Sequence, residues 1–234
     1  MQIKATGALV PHGSLPNLTK IKAPFSSDGM FVPASGSAFS LMVNTQLVKP
    51  AEYPKSWKEV LDPKWKGKIL LMDPRAGSSG YVFFDVMNEK FGRGFHEALA
   101  AMKPEITTEH NVAQRRTARG EYALYLPLTI SDYVNLKGMP VKAVMPEEGA
   151  PYITTGMALL KNAPNQNAAR LFLNFLLDDE TQTFYANNGN VSSIGLVSGS
   201  LPEDEMDIYK PKLLGTPDPD NFAASLKLAA EIYK

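Results

Sequence analysis

Apolar residues change their spacing several times along this chain, and each change marks an element. The stretch GMFVPASGSAFSLMVN mixes small, β-branched and aromatic residues in an extended pattern that breaks at Ser35-Gly36-Ser37, which predicts a strand with a kink. In PKSWKEVLDPKWKGK a serine precedes Trp57 and a proline stands at 63, so Ser56 is expected to cap a short helix ending near Asp62. KILLMD reads as a strand stopped by Pro74. From Ser79 to Met102 apolar residues recur at helical spacing, with Val82, Phe83, Val86, Met87 and Phe91 along one side; Gly92 and Gly94 divide the run into two helices. A helix over NVAQRRTARG closed by Gly120, a strand at EYALYLPL, a short helix around SDYVNLKG and a strand at VKAVMP follow. After residue 150 come a strand, TTGMALLKNAP, and one long helix from Asn165 to Gly189 whose expected buried face is Leu171, Phe172, Phe175 and Leu176. Residues 190–219 carry few regular signals, and PDNFAASLKLAAEIYK closes the chain as a capped amphipathic helix. Alternating strands and helices predict an α/β fold, a sheet flanked by helices. No internal repeat or low-complexity tract appears.

Composition narrows the function classes. With 234 residues, 44% of them hydrophobic and 21% charged, the chain can bury one large core or two modest ones. Twenty-four basic residues balance twenty-four acidic ones, so long-range attraction favours neither nucleic acid nor an anionic membrane as a partner. The absence of cysteine removes disulfides, thiolate metal sites and thiol nucleophiles together. No apolar run is long enough to span a bilayer, and the opening MQIKATGALVPHGS lacks the pattern of a secretory signal.

Four segments, KSWKEVLDPKWKGKILLMDPRAGSSGY, ARGEYAL, MPEEGAPYITTGMALLKNAPNQNAARLFLNFLL and the closing helix, occur in an order that resembles the extracellular solute-binding proteins of ABC importers, in the cluster that includes the ferric-ion-binding proteins. The pairing of LDPKWKGKI with GMALLKNAP is the most specific part of the likeness. The resemblance implies a two-lobed periplasmic-binding-protein-like α/β fold. Residues 1–44 would form part of the first lobe and a crossing strand, residues 45–150 the second lobe, and residues 151–234 the return to the first lobe with the C-terminal helices. It implies capture of a small anionic solute (a phosphonate, carboxylate, oxyanion or metal–anion complex) in an interlobe cleft, delivery to an ABC permease, a periplasmic location and no cofactor. Ferric iron as the cargo is the alternative within the same family. Only MQIKAT stands before GALVPHGSLPNL, where the family has a βαβαβ stretch, so the first lobe is expected to be N-terminally incomplete and able to associate into a homo-oligomer through its exposed edges.

Candidate ligand-binding residues fall in four places. In MDPRAGSSGYVFF, small residues stand at a helix start, where unpaired backbone N–H groups can hold an anionic oxygen. Ser78, Ser79, Gly80 and Tyr81 are the candidates, with simple capping by Ser78 or Ser79 as the structural alternative. His110 and Asn111 precede the next helix and, by the resemblance, face the cleft; Asn111 is equally suited to capping. Arg115, Arg116 and Arg119 follow, either as an anion clamp or as a solvated face. The ferric-binding relatives carry adjacent tyrosines after the strand that follows GE, because Fe(III) favours phenolate oxygen. Here LPLTISDYVNLK holds only Tyr133, a weak metal candidate, while Tyr122 and Tyr125 belong to the preceding strand, where a tyrosine packs more often than it ligates, so no metal site is assigned, and Thr129, Ser131 and Asp132 read as hydrogen-bonding groups for the solute. Ser35, Ser37, Thr154 and Thr155 sit on the crossing segments and can line the cleft or satisfy their own backbone.

An enzyme is the rival class. A serine-dependent hydrolase is the form considered, yet GSSG lacks the spacing of the hydrolase elbow, and the HEALA at His96 has no second histidine for a zinc site. The chain is read as a binding protein rather than an enzyme.

Overall fold

The structure, a computed structural model, describes residues 3, 6–197 and 205–234. Among the described residues the strands are β1 (Leu9–Val10), β2 (Phe31–Asn44), β3 (Ile69–Met72), β4 (Glu105–Thr107), β5 (Leu124–Thr129), β6 (Val141–Val144), β7 (Ala150–Leu160), β8 (Val191–Ser192) and β9 (Leu213–Gly215). The helices are α1 (Ser79–Phe91), α2 (Arg93–Ala101), α3 (His110–Ala118), α4 (Ile130–Tyr133), α5 (Gln166–Phe175), α6 (Asp179–Asn187), α7 (Met206–Tyr209) and α8 (Phe222–Ile232). The chain divides into two compact units, one of Met1–Ser37 with Thr154–Glu203 and the other of Ala38–Ile153 with Asp204–Lys234. The divisions fall inside β2 and β7, so these two long strands carry the chain from one unit to the other.

The larger unit is built on the strand order β6-β2-β5-β3-β4, with β3 parallel to both β4 and β5 and β2 antiparallel to β5 and β6. Every residue of β3 is buried, the continuous apolar run expected of a parallel strand covered on both faces. Trp57, Trp65, Phe83, Phe84, Met87, Phe95 and Leu99 fill the space between this sheet and its helices. Burying one such side chain contributes roughly 1.5–3 kcal/mol. Trp57 Nε1 donates to the Gly149 carbonyl at 2.8 Å, so the ring meets no unpaired polar cost. Ser56 has the capping role expected of it: its Oγ accepts the Glu59 N–H at 3.2 Å, at the head of a 3-10 turn over Lys58–Leu61. Gly92, at φ +76°, divides α1 from α2, whereas Gly94 lies within α2.

In the sequence reading the closing helix belongs with the flanking lobe; the structure places it in the larger unit. Ala229 and Tyr233 enter the core beside Phe84, and the Tyr233 hydroxyl meets His96 Nδ1 at 2.9 Å while His96 Nε2 lies 3.0 Å from the Phe84 carbonyl. Apolar burial together with this hydrogen-bonded pair outweighs chain order.

In the smaller unit the strand order is β1-β7-β2-β8, with Leu9 opposite Leu160 and Ser35 opposite Ser192. The kink expected at Ser35-Gly36-Ser37 is absent, and β2 runs unbroken for 14 residues. Gly36 is small for a different reason: a Cβ there would approach the Phe25 ring to 2.8 Å. The irregularity in β2 instead falls between Ser40 and Met42, as a register shift against β5.

The single long helix expected after residue 165 is two helices, α5 and α6, because Asp178 takes an extended backbone and accepts a hydrogen bond from the Asn17 amide. Of its expected buried face, Leu176 is buried and the other three residues are not. Leu173, Leu176 and Leu177 pack against Leu15, Val32, Ala34 and Leu159, whereas Leu171, Phe172 and Phe175 are 74%, 47% and 49% exposed. Two apolar stripes compete on this helix, and the one that continues into Leu177 faces the core. Of the stretch 190–219, expected to be irregular, β8, α7 and β9 are short elements, and residues 198–204 lie outside the described residues.

His96 sets a pH dependence. Burial lowers its pKa from about 6.5 to about 4, so between those values the unfolded chain binds a proton that the folded chain does not. Stability present above pH 6.5 is therefore lost as pH falls toward 4, by about 3 kcal/mol for this group. Urea unfolding of wild type and His96→Gln at pH 7, 5.5 and 4 should show the gap between the two narrowing with acidity; a constant gap would contradict it.

Candidate functional site

The loop after β3 is held by its own charges. Asp73 Oδ1 accepts the Arg75 backbone N–H at 2.8 Å, its two oxygens take the Arg75 side chain at 2.8 and 2.9 Å, and Arg75 Nη1 donates to the Tyr233 carbonyl at 2.8 Å. The Arg75 guanidinium holds the Asp73 carboxyl below its ordinary range. Gly77, at φ +66°, turns the chain into α1.

Gly80 then decides where α1 begins. A Cβ at this position would lie 2.6 Å from the Met72 carbonyl oxygen and closer still to that of Asp73. The sequence reading assigns this small residue to close approach of a ligand; the structure assigns it to close approach of α1 to the end of β3. Ser78 occupies the N-cap position without a side-chain cap, and its Oγ is buried with no hydrogen-bond partner among the described residues. The helix start is thus left uncapped by the residue expected to cap it, and its N–H groups keep their partial positive charge.

A second helix start meets the first. Thr107 Oγ1 accepts the Glu109 N–H at 3.1 Å as β4 ends, and α3 begins at His110, with Glu109 rather than Asn111 at the N-cap and again no side-chain cap. Ser79 Oγ lies 3.4 Å from His110 Nε2, so the first residues of α1 and α3 touch. On the other side of the ring, His110 Nδ1 lies 3.3 Å from the hydroxyl of Tyr125, a fully buried residue of β5. Burial, with the nearby Asp132 charge, raises the Tyr125 pKa well above the ordinary phenol value, so its hydroxyl keeps its proton. Asp132 Oδ2 accepts the Gln114 amide at 2.8 Å, which ties α4 to α3.

Of the residues proposed from the sequence, Ser78, Ser79, Gly80, His110 and Asp132 are thereby connected in the larger unit, through Tyr125 and Gln114, which the sequence reading treats as a packing residue and not at all. Asn111 is exposed on the first turn of α3, and Thr129 and Ser131 are half-buried at the start of α4, where Thr129 makes no side-chain cap. Tyr81 turns away from the Ser79–His110 contact: its ring packs edge-on against Phe222 at 4.8 Å, its hydroxyl faces the Asp218 carbonyl, and burial pushes its pKa up to about 12. Arg116 is engaged by Glu105, Glu121 and Tyr122 and belongs to a structural ion-pair network, while Arg115 and Arg119 are exposed. The Tyr133 hydroxyl donates to Glu205 at 3.2 Å, and Lys142 reaches the same carboxylate oxygen at 3.0 Å. Burial first, and the Glu205 charge second, raise the Tyr133 pKa.

Ser35, Ser37, Thr154 and Thr155 belong to the smaller unit. Ser35 is buried opposite Ser192, Ser37 and Thr154 are half-buried, and Thr155 is exposed. His12, in the same unit, contacts the Gly13 carbonyl and Ser27 Oγ, each at 2.7 Å. A nucleophilic triad would need a carboxylate behind His110; a phenol occupies that place.

A family model described as bacterial extracellular solute-binding protein matches residues 1–223. Iron uptake protein A1 of Synechocystis is 27% identical over 182 residues, covering 70% of this chain and 49% of the relative; the chain spans about half the length of the curated relatives it matches. The fold is similar to the substrate-binding protein of an ABC transporter from Agrobacterium tumefaciens, with a TM-score of 0.80 and 16% identity over 100% of this chain and 75% of that one. It is also similar to a periplasmic thiamin-binding protein, with a TM-score of 0.75 and 19% identity over 100% and 75%. These relatives bind solutes and are not enzymes, and among the described residues no helix is long and apolar enough to cross a membrane. Matched by that family model over nearly its whole length, the chain belongs to the bacterial extracellular solute-binding proteins.

Proposed function

We propose that this chain is the solute-binding component of an ABC import system and captures a small anionic solute at the start of α1, for delivery to a permease from the periplasmic side of the membrane. The observation that carries this reading is the uncapped N-terminus of α1 in contact with the first residue of α3 through Ser79 and His110. Two helix starts side by side supply partial positive charge and N–H donors without a formal cation, a setting that favours an oxyanion over a neutral or cationic guest. Because Gly80 locks α1 against β3, these donors are in place before any ligand arrives, which lowers the ordering cost of binding.

Ferric iron as the cargo draws support from the name of the cyanobacterial relatives. The residues of this chain favour the oxyanion instead. Tyr133 is committed to Glu205 and has no second tyrosine adjacent to it in the chain.

Scanning fluorimetry against phosphate, phosphonates, carboxylates, polyols, thiamin and ferric citrate tests the solute class. Saturation at a hundred times Kd stabilises the folded state by about 2.7 kcal/mol, so an oxyanion should raise the melting temperature by several degrees. Stabilisation by polyols or thiamin alone would reject the anionic reading. Replacing Ser79 with Phe, which fills the space at the helix start, should abolish oxyanion binding in titration calorimetry with little change in melting temperature. An unchanged Kd would remove α1 from the site.

A further inference from the structure

We infer that Tyr125 and His110 form a one-way hydrogen-bond relay that turns the Ser79 hydroxyl proton outward, so that the start of α1 selects for a bare acceptor oxygen on the solute, as in a carboxylate or phosphoryl group. The inference rests on the oxyanion reading given above and adds the residues that set its specificity. It starts from Tyr125, which is fully buried and whose hydroxyl has His110 Nδ1, at 3.3 Å, as its hydrogen-bond partner. Were His110 Nδ1 to carry the ring proton, two donors would face each other or the buried phenol would lose its acceptor, at a cost of roughly 1–3 kcal/mol. The phenol therefore donates, Nδ1 accepts, and the neutral ring holds its proton on Nε2.

Nε2–H points toward Ser79 Oγ, 3.4 Å away, which leaves that oxygen as the acceptor and its own O–H as a free donor. Beside it stand the N–H groups of an uncapped helix start, which are donors only. The O–H of Ser79 and the helix N–H groups then face the guest as donors, and Ser79 Oγ keeps a single lone pair beside them. A guest that brings an N–H or O–H proton to the same point leaves a donor facing a donor, and a site built of donors rejects such a guest far more strongly than a mere gap in packing would. Asp132 stands outside the relay: its hydrogen bond is to the Gln114 amide. Tyr125 and His110 thus act as positioning residues: neither has to touch the solute for its identity to matter.

The test reads the ring directly. In protein labelled with 15N histidine, the three histidines are separable by substitution, and long-range proton–nitrogen correlation reports which ring nitrogen of His110 carries hydrogen. Ligand-free wild type above pH 7.5 should show the Nε2–H form, and Tyr125→Phe should convert His110 to a mixture of the two forms while the melting temperature stays within a few degrees. A predominant Nδ1–H form in wild type overturns the relay whatever happens on ligand addition. Inorganic phosphate should shift the His110 Nε2 resonance in wild type and bind about five- to tenfold more weakly to Tyr125→Phe. An equal Kd for the two proteins also overturns the relay. If phosphate binding survives Ser79→Phe as well, the site reading itself fails, which separates the two failures.

Discussion

The approach of Gly80 to the carbonyls of Met72 and Asp73 is the constraint on which the larger unit depends. A parallel strand and the helix that follows it pack at a distance set by the side chains between them, and glycine at 80 removes the side chain where the two are nearest. The rest of α1 then places Phe83, Phe84 and Met87 in the core with the two tryptophans, and its first turn beside the first turn of α3. The Asp73–Arg75 clamp and its bond to the Tyr233 carbonyl hold the intervening loop from the other side, so the position of a helix start depends on the last residues of the chain.

Buried polar groups in both units are matched to partners with little left over. Asn44 donates to the Thr117 carbonyl at 2.7 Å and accepts the N–H groups of Gln46 and Leu47, which ties β2 to the end of α3. Gln182 donates to the carbonyls of Ala34 and Leu176 and accepts from Ser192 and Ser193. Such side chains cost little because each lone pair and proton is used. Among the described residues the exceptions are the buried hydroxyls of Ser40, Ser78, Thr117 and Thr181, and of these Ser78 lies at the head of α1, adjoining the place where donors converge.

Tyr125 illustrates how a residue can be assigned correctly to its element and to packing while the neighbour of its hydroxyl goes unread. As a tyrosine in an apolar strand it reads as packing, and it is indeed wholly buried. What the one-dimensional pattern does not carry is the neighbour of its hydroxyl: β5 lies beside β3 in parallel register, which sets Tyr125 opposite Leu70 and brings its ring under the start of α3. Arg116 shows the reverse case. Its place among three arginines suggests a clamp for anions, but Glu105 and Glu121 flank it in space, and only one of them is near in sequence.

Local chemistry by itself determined much of this protein. Proline and glycine punctuation set the ends of β3, α1 and α3, the period of apolar residues set strand or helix, and the serines before a helical run marked Ser78–Ser79 as a candidate site, with His110 added by the family resemblance. Tertiary structure alone decided which of two apolar stripes on α5 is buried, that Gly36 and Gly80 are small to admit a ring and a helix, that the closing helix joins the larger core, and that Ser79, His110 and Tyr125 form one chain of contacts. The physical reason is range. Backbone preference and capping act over three or four neighbouring residues, whereas burial and hydrogen-bond pairing depend on groups 15 to 31 positions apart at this site, and on groups more than a hundred apart between His96 and Tyr233.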